Sequence, residues 1–241
     1  MLRSVINFII QQKNPHFNLD KSVSSSVLLQ LTFSKGIAWL RSWKLLFSFR
    51  IPRRLFLGRN VKFFHLANMQ FGKWVQLEEQ VYLSALSKEP LVIGSNVRIG
   101  AYSRLIASTS FDHPGKGIRI GNNVGLGEFA YLGGAGGLEI GDDCIIGQYL
   151  SCHPENHNYQ DSEQPIRLQG VTRKGIKIGE NCWIGAKVTI LDGVQIGPNC
   201  VIAAGAVVTK SMPSDSIIGG VPARVLKSRI GAEKKEFAET C

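Results

Sequence analysis

The sequence lacks the means to cross a membrane as a helix, to remain disordered or to be stapled by disulfides. It holds no stretch of about eighteen uninterrupted apolar residues, so no helical membrane span is expected. Charged residues are only 19% of its 241 positions and hydrophobic ones 44%, which argues against disorder and leaves material for a sizeable core. No pair of its five cysteines forms Cys-x-x-Cys. Their odd number, without a small-scaffold pattern, reads as reduced thiols in a cytosolic protein. Glycine is abundant, at 26 residues, yet shows no Gly-X-Y period, so collagen is excluded. The opening segment MLRSVINFIIQQKNPHF has a short apolar patch and no small-residue cleavage site, so no cleavable leader is expected. Acids are nearly missing from residues 1–60. Asp20 stands there against Arg3, Lys13, Lys21, Lys35, Arg41, Lys44, Arg50, Arg53, Arg54 and Arg59, which accounts for most of the net charge of +10. A basic end on a near-neutral body points to an anionic membrane surface or an acidic partner, and away from nucleic acid.

What the sequence does have is a period of six. Aliphatic residues recur at Ile178, Ile184, Ile190, Ile196, Ile202 and Val208, with Gly following at 179, 185 and 197. The period reappears as Ile93, Ile99 and Leu105, as Ile120, Leu126, Leu132 and Leu138, and as Ile140 and Ile146; Phe71, Leu77 and Leu83 carry a degenerate version. Neither 3.6 nor 2 fits this spacing, so it is neither one amphipathic helix nor a hairpin series. Three hexads make one triangular coil with a short strand on each side. The aliphatic residues point into the prism, Gly eases each corner, and coils must stack because one coil cannot bury its own face. Cys144, Cys182 and Cys200 each stand four residues past an aliphatic position and read as small apolar ladder residues. The fold class is therefore all-β, a left-handed parallel β-helix with an N-terminal helical extension and a C-terminal cap. Expected boundaries are 1–59 for a basic, partly helical extension, 60–212 for the β-helix with a loop over 151–175, and 213–241 for a cap and tail. In that tail ARVLKSRIGAEKKEFAET reads as a short helix across the open end. The loop SCHPENHNYQDSEQPIRLQGVTRKG is too polar for a prism wall, and long loops in compact repeats are often functional. Residues 34–50, SKGIAWLRSWKLLFSFR, set Ser34, Arg41, Lys44 and Ser48 on a narrow polar helix face among Ile37, Trp39, Leu40, Trp43, Leu46, Phe47 and Phe49. That pattern suits a helix capping the first coil, and peripheral membrane contact through residues 34–54 is open as well.

Over residues 151–229 the sequence resembles the hexapeptide-repeat acetyltransferases. The nearest branch acts on polysaccharide or lipopolysaccharide sugars and is related to maltose and galactoside acetyltransferases. HPENHNY, PIRLQG, IKIGENCWIGAKVTILDGVQIGPNCVIAAGAVVTK and GGVPARVLKSR carry the likeness. It implies O-acetyl transfer from acetyl-CoA to a sugar hydroxyl, with no metal, by a homotrimer whose sites lie between subunits. It aligns His157 with the family's catalytic base. Imidazole suits the task, because the attacking hydroxyl must lose a proton near neutral pH. It implies acceptor contacts for Asn156, His153, Tyr159 and Trp183. It implies coenzyme A contacts for Gly185, Ala186, Ala204, Thr209, Lys210, Arg224, Lys227 and Arg229, where cations and N–H donors meet phosphates and pantetheine. Cys152 is a competing acyl-accepting nucleophile. Other readings are an amino-sugar N-acetyltransferase, a γ-type carbonic anhydrase and a non-catalytic β-helix scaffold. The anhydrase needs three histidines on one metal, and no pattern places three suitably among His16, His65, His113, His153 and His157.

Overall fold

The computed structural model describes residues 2–11, 17–48 and 54–230. The chain forms a left-handed parallel β-helix whose coils consist of three short strands each. The first face stacks Leu55–Leu57, Val75–Leu77, Arg98–Ile99, Gly125–Leu126, Ile145–Ile146, Trp183–Ile184, Val201–Ile202 and Ser216–Gly220. The second stacks Lys62–Phe64, Tyr82–Ser84, Arg104–Ile106, Tyr131–Gly133, Ser151–His153, Thr189–Leu191 and Val207–Val208. The third stacks Met69–Phe71, Leu91–Ile93, Ile118–Ile120, Leu138–Ile140, Ile176–Ile178 and Gln195–Ile196.

Register follows the hexads. Ile146 pairs with Ile184, Ile184 with Ile202, and Ile202 with Ile218, so like residues lie above one another. The aliphatics of the last hexads, Ile178 through Val208, are at most 2% exposed. Burying each such side chain stabilises the fold by roughly 1.5–3 kcal/mol. Cys144, Cys182 and Cys200 lie buried in one column, and their thiols donate to backbone carbonyls of neighbouring coils, as Cys200 does to Pro213 at 3.1 Å.

The corner glycines work differently from the sequence expectation. Gly179 and Gly185 do not carry the left-handed backbone; Asn181 and Lys187, two residues later, do, at φ 53° and 58°. A Cβ on Gly179 would stand 2.5 Å from Pro198 N, and one on Gly185 would stand 2.5 Å from Ala204 N. Glycine is needed there because the next coil's backbone rests on it.

Two boundaries differ from expectation. The prism begins at Leu55–Leu57, within the segment assigned to the extension, because Leu55 and Leu57 alternate inward over the first coil. At the other end, Ser216–Gly220 adds a further strand to the first face, and Ala223–Ser228 folds back on it antiparallel. The helix expected from Ala223 onward is therefore a strand in its described part. Hairpin pairing satisfies backbone groups that an edge strand would leave bare. The rest of that tail, 231–241, lies outside the described residues, as does Cys241.

Helix α1 (Leu2–Gln11) and helix α2 (Ser25–Ser42) precede the prism, and α2 continues into a 3-10 turn, Trp43–Ser48. Ser24 caps α2 by accepting from Val27 N. Helix α2 packs on the Leu55–Leu57 strand, with Leu28 and Ser42 buried and Leu45 of the 3-10 turn entering the prism core. Lys44 Nζ donates to Val61 O at 2.6 Å, and Lys35 Nζ to Gln76 Oε1 at 2.5 Å, which ties the segment to the first two coils.

Candidate active site

Two excursions leave the prism at the same corner, between the second and third faces. One runs from Ala107 to Gly117 and the other from Pro154 to Gly175. The predicted loop over 151–175 thus starts three residues late. Ser151–His153 is prism wall, pairing with Tyr131–Leu132 on one side and Thr189–Leu191 on the other. Polarity misled the reading there, because only the inward residue of the three, Cys152, has to be apolar.

Between the excursions lies the segment Gly133-Gly134-Ala135-Gly136-Gly137. A Cβ on Gly134 would meet Ile118 Cγ1 at 2.6 Å, and one on Gly136 would meet Pro154 O at 2.4 Å. The glycines let both excursions close over the same floor. The result is a cavity of about 270 Å³ lined by Ser108, Tyr131, Gly134, His153, His157 and Arg173, among others.

Arg173 fastens the two excursions together. Its Nε bonds Glu155 Oε2 at 2.6 Å within the second, and its Nη1 donates to His113 O at 3.2 Å in the first. Ser108 Oγ, nearly buried, also donates to His113 O, at 3.1 Å. His157 sits on a two-residue strand, Asn156–His157, paired antiparallel with Val171–Thr172. Asn158 secures this pairing: its Nδ2 donates to Gln169 O and its Oδ1 accepts from Thr172 Oγ1 at 2.9 Å. His157 is exposed toward the cavity. His153, at the end of a wall strand, is more firmly held: Nε2 lies 2.7 Å from Ser151 Oγ, and the ring stacks on Tyr131 at 5.4 Å. Both imidazoles therefore border one space. Asn156 and Tyr159 are exposed on the same excursion and are not among the cavity's lining.

Cys152 is wholly buried in the prism, and burial pushes its thiol up to about 12. A nucleophile needs its thiolate, so the structure counts against this residue as an acyl acceptor. Among the described residues, no three His, Cys, Asp or Glu side chains converge on a point that a metal ion could occupy.

The residues assigned to coenzyme A are spread over two corners and one end. Gly185, Ala186 and Ala204 form the corner between the first and second faces, with Trp183, 55% exposed, beside them. Thr209 and Lys210 are exposed just after Val207–Val208, at the corner that carries the histidines but in a later coil. Arg224 and Lys227 belong to the terminal hairpin strand, and Arg229 comes just after it, with Nη1 donating to Asn199 O. One chain does not bring the Gly185 corner and the histidine cavity together. Sequence reasoning missed Arg173, Glu155, Ser108, Tyr131 and the glycine floor. The signal was available in the interval from Leu105 to Ile120, where the six-residue register is also broken.

Residues 175–210 match the family model described as bacterial transferase hexapeptide (six repeats). The chain is 30% identical over 190 residues to a probable acetyltransferase, Rv3034c, of Mycobacterium tuberculosis, covering 79% of this chain and 57% of that protein. It is 28% identical over 146 residues to the putative lipopolysaccharide biosynthesis O-acetyl transferase WbbJ of Escherichia coli, covering 58% and 69%. The chain thus spans between about half and about two thirds of the length of these curated relatives. Among solved structures it shares its fold with AntD, an N-acyltransferase from Bacillus cereus, at a TM-score of 0.54 and 24% identity over 66% of this chain and 84% of that one.

Proposed function

We propose, from the premise that the chain belongs to the hexapeptide-repeat family, that it transfers an acetyl group from acetyl-CoA to a hydroxyl of a sugar, in a surface polysaccharide or its lipid-linked precursor. The observation that carries this reading is the cavity in which two imidazoles border a space closed by both excursions. The names of the sequence relatives, acetyltransferases and a lipopolysaccharide O-acetyl transferase, support the reaction class.

In the proposed step a histidine takes the proton from the acceptor hydroxyl while its oxygen attacks the thioester carbon. The C–S bond then breaks, and the imidazolium returns the proton to the departing coenzyme A thiolate. The acyl group passes directly, which fits a Cys152 thiol held neutral by burial. His157 is the proposed base, on its match to the family motif. One observation favours a second assignment: His153 is the imidazole held in place by Ser151 and Tyr131. Asn156, Tyr159 and His153 would contact the acceptor. Lys210, Thr209 and the cations Arg224, Lys227 and Arg229 would hold the donor's phosphates and pantetheine. Because Trp183, Gly185, Ala186 and Ala204 occupy a different corner from the histidines, we infer a homotrimer in which one chain's histidine cavity faces a neighbour's Gly185 corner. The use of acetyl-CoA suits a cytoplasmic site of action.

The test is incubation of purified protein with acetyl-CoA and a panel of saccharides. Released thiol and the mass of the glycan are tracked together. A saccharide gaining one alkali-labile acetyl group is the expected result. An alkali-stable acetyl on an amino sugar would move the reading to N-acetylation, and failure to bind coenzyme A would support the scaffold reading.

A further inference from the structure

Helix α2 and the 3-10 turn after it have two apolar stripes, and the prism uses one. Leu28, Ser42 and Leu45 turn inward and close the first coil. The other stripe recurs at Leu29, Phe33, Leu40 and Trp43, at helical spacings broken only by Gly36, and Phe47 of the 3-10 turn lines the same groove as Leu40 and Trp43. All five are exposed, Phe33 at 72% and Phe47 at 92%. Capping accounts for the first stripe and leaves the second unexplained. Contiguous exposed apolar surface of this kind marks an interaction site.

The surroundings say what would cover it. Leu40, Trp43, Leu46 and Phe47 line one open, largely apolar groove together with Arg41 and Lys44. Trp39 and Trp43 meet edge to face at 5.3 Å on this segment. Residues 1–60 carry ten basic residues against the single acid Asp20, and Lys21, Arg41, Arg54 and Arg59 are exposed. An apolar stripe with tryptophans, flanked by cations, matches a bilayer interface, where rings sit at headgroup level and bases meet anionic lipid. A second copy docking head to head would set two strongly positive ends together, which electrostatics opposes.

We propose that this outer stripe docks the protein on an anionic lipid bilayer, with the capped end of the β-helix toward the membrane. The inference does not depend on acyl transfer, since it rests on a surface remote from the histidine cavity. If the proposed transfer holds as well, docking would bring the enzyme to lipid-linked acceptors.

The experiment uses the full chain and vesicles of phosphatidylcholine with or without phosphatidylglycerol. Sedimentation with the mixed vesicles and little with pure phosphatidylcholine is expected, with binding weakened by salt. Leu40→Ser combined with Phe47→Ser should lower the bound fraction roughly tenfold. Circular dichroism checks that the variant remains folded. Should it unfold, the unaltered protein still decides the matter: lipid brominated in the acyl chain should quench Trp39 and Trp43. Absence of quenching, or equal binding to both vesicle types, overturns the proposal. So does a double variant that binds vesicles undiminished, or that dissociates an oligomer while vesicle binding is unchanged, which would assign the stripe to a second copy. Loss of vesicle binding with saccharide acetylation intact separates this inference from the proposed function.

Discussion

Ile190 and His157 show how differently two regions of this chain are held. Ile190 is fully buried between Cys152 below and Val208 above, in a ladder where each coil repeats its neighbour's demand. His157 stands on an excursion kept in shape by individual polar bonds, those of Asn158, Arg173 and Gln169, whose Nε2 donates to Asp161 O and Gln164 O. The ladder tolerates one residue class per position and offers solvent little except outward side chains. The excursions have no register to keep, so they can hold an imidazole, a carboxylate and a guanidinium around one space, beside the His153 ring at the end of a wall strand. This division teaches that chemistry in such a fold belongs where the period stops, while stability belongs where it continues. If it is right, substitutions in the excursions should alter rates without altering stability, and substitutions in the coils should do the opposite.

The largest effect is expected at the histidines. His157→Ala should lower turnover by roughly 10²–10⁴, the usual contribution of a general base. Its thermal midpoint should stay close to that of the unaltered protein, because an exposed loop residue is removed. His153→Ala should cost less. The reverse order would transfer the role of base to the imidazole held by Ser151 and Tyr131. Acetyl-CoA affinity, measured by calorimetry, should change little in either variant, and should fall instead in Lys210→Ala.

The coil half of the comparison is tested by Ile190→Ala. Removing a fully buried aliphatic side chain from a stacked ladder should destabilise the protein by about 2–5 kcal/mol, the cost of lost burial plus the cavity left behind. Urea unfolding would measure it. Below the unfolding transition, turnover per folded molecule should be nearly unchanged. A large fall in turnover at full foldedness would show that the coils transmit strain to the excursions.

Arg173→Ala tests whether the excursions act together. Arg173 joins Glu155 to the backbone at His113, so its loss should loosen the cavity from both sides. Turnover with saccharide should fall roughly tenfold through misplacement of reacting groups. The effect should appear mainly in kcat, with KM for the acceptor changed less. Partial rescue by Arg173→Lys would point to charge, and none would point to the two-way geometry that guanidinium supplies.

The sequence is legible to different depths in these two regions, and the reason is physical. A ladder imposes the same requirement every six residues, so Ile178 through Val208 announce their burial within one short stretch of chain. The column of Cys144, Cys182 and Cys200 can be read the same way. An excursion is specified by contacts between distant residues, and Arg173 meeting Glu155 and His113 has no local signature. Ser151 and His153 share the polarity of residues 154–175, which groups them with the loop, although alternation around Cys152 is the mark of a wall strand. The antiparallel return of Ala223–Ser228 is masked by its charged composition, which suits an exposed strand as well as a helix. The corner glycines mislead for a similar reason. The tight backbone turns fall on Asn181, Asn199 and Lys187, while the glycines serve contacts between coils that no single hexad displays.

The smallest effect on turnover, within about twofold, is expected for Cys152→Ala, because a buried thiol inside the prism is not in reach of the acyl group. Its signature lies in stability against pH. In the unfolded chain the thiol ionises near its ordinary value of 9.0, whereas in the folded prism burial defers this to about 12. Folding therefore favours the protonated form. The associated stability is fully present below about pH 9 and is lost progressively as pH rises toward about 12, since only the unfolded chain releases the proton in that window. The Cys182 thiol is pushed upward too, by its hydrogen bond with Cys144 and by burial, and burial raises that of Cys200, so part of the alkaline slope should survive in the variant. Urea unfolding at about pH 8 and about pH 10 would resolve the two contributions. The variant should be weaker at both by a similar cavity cost, on the order of 1 kcal/mol. It should also lose less stability between them than the unaltered protein does. Equal slopes would mean that Cys152 is not shielded from solvent as its place in the ladder requires, and an inactive variant would reopen the acyl-enzyme route.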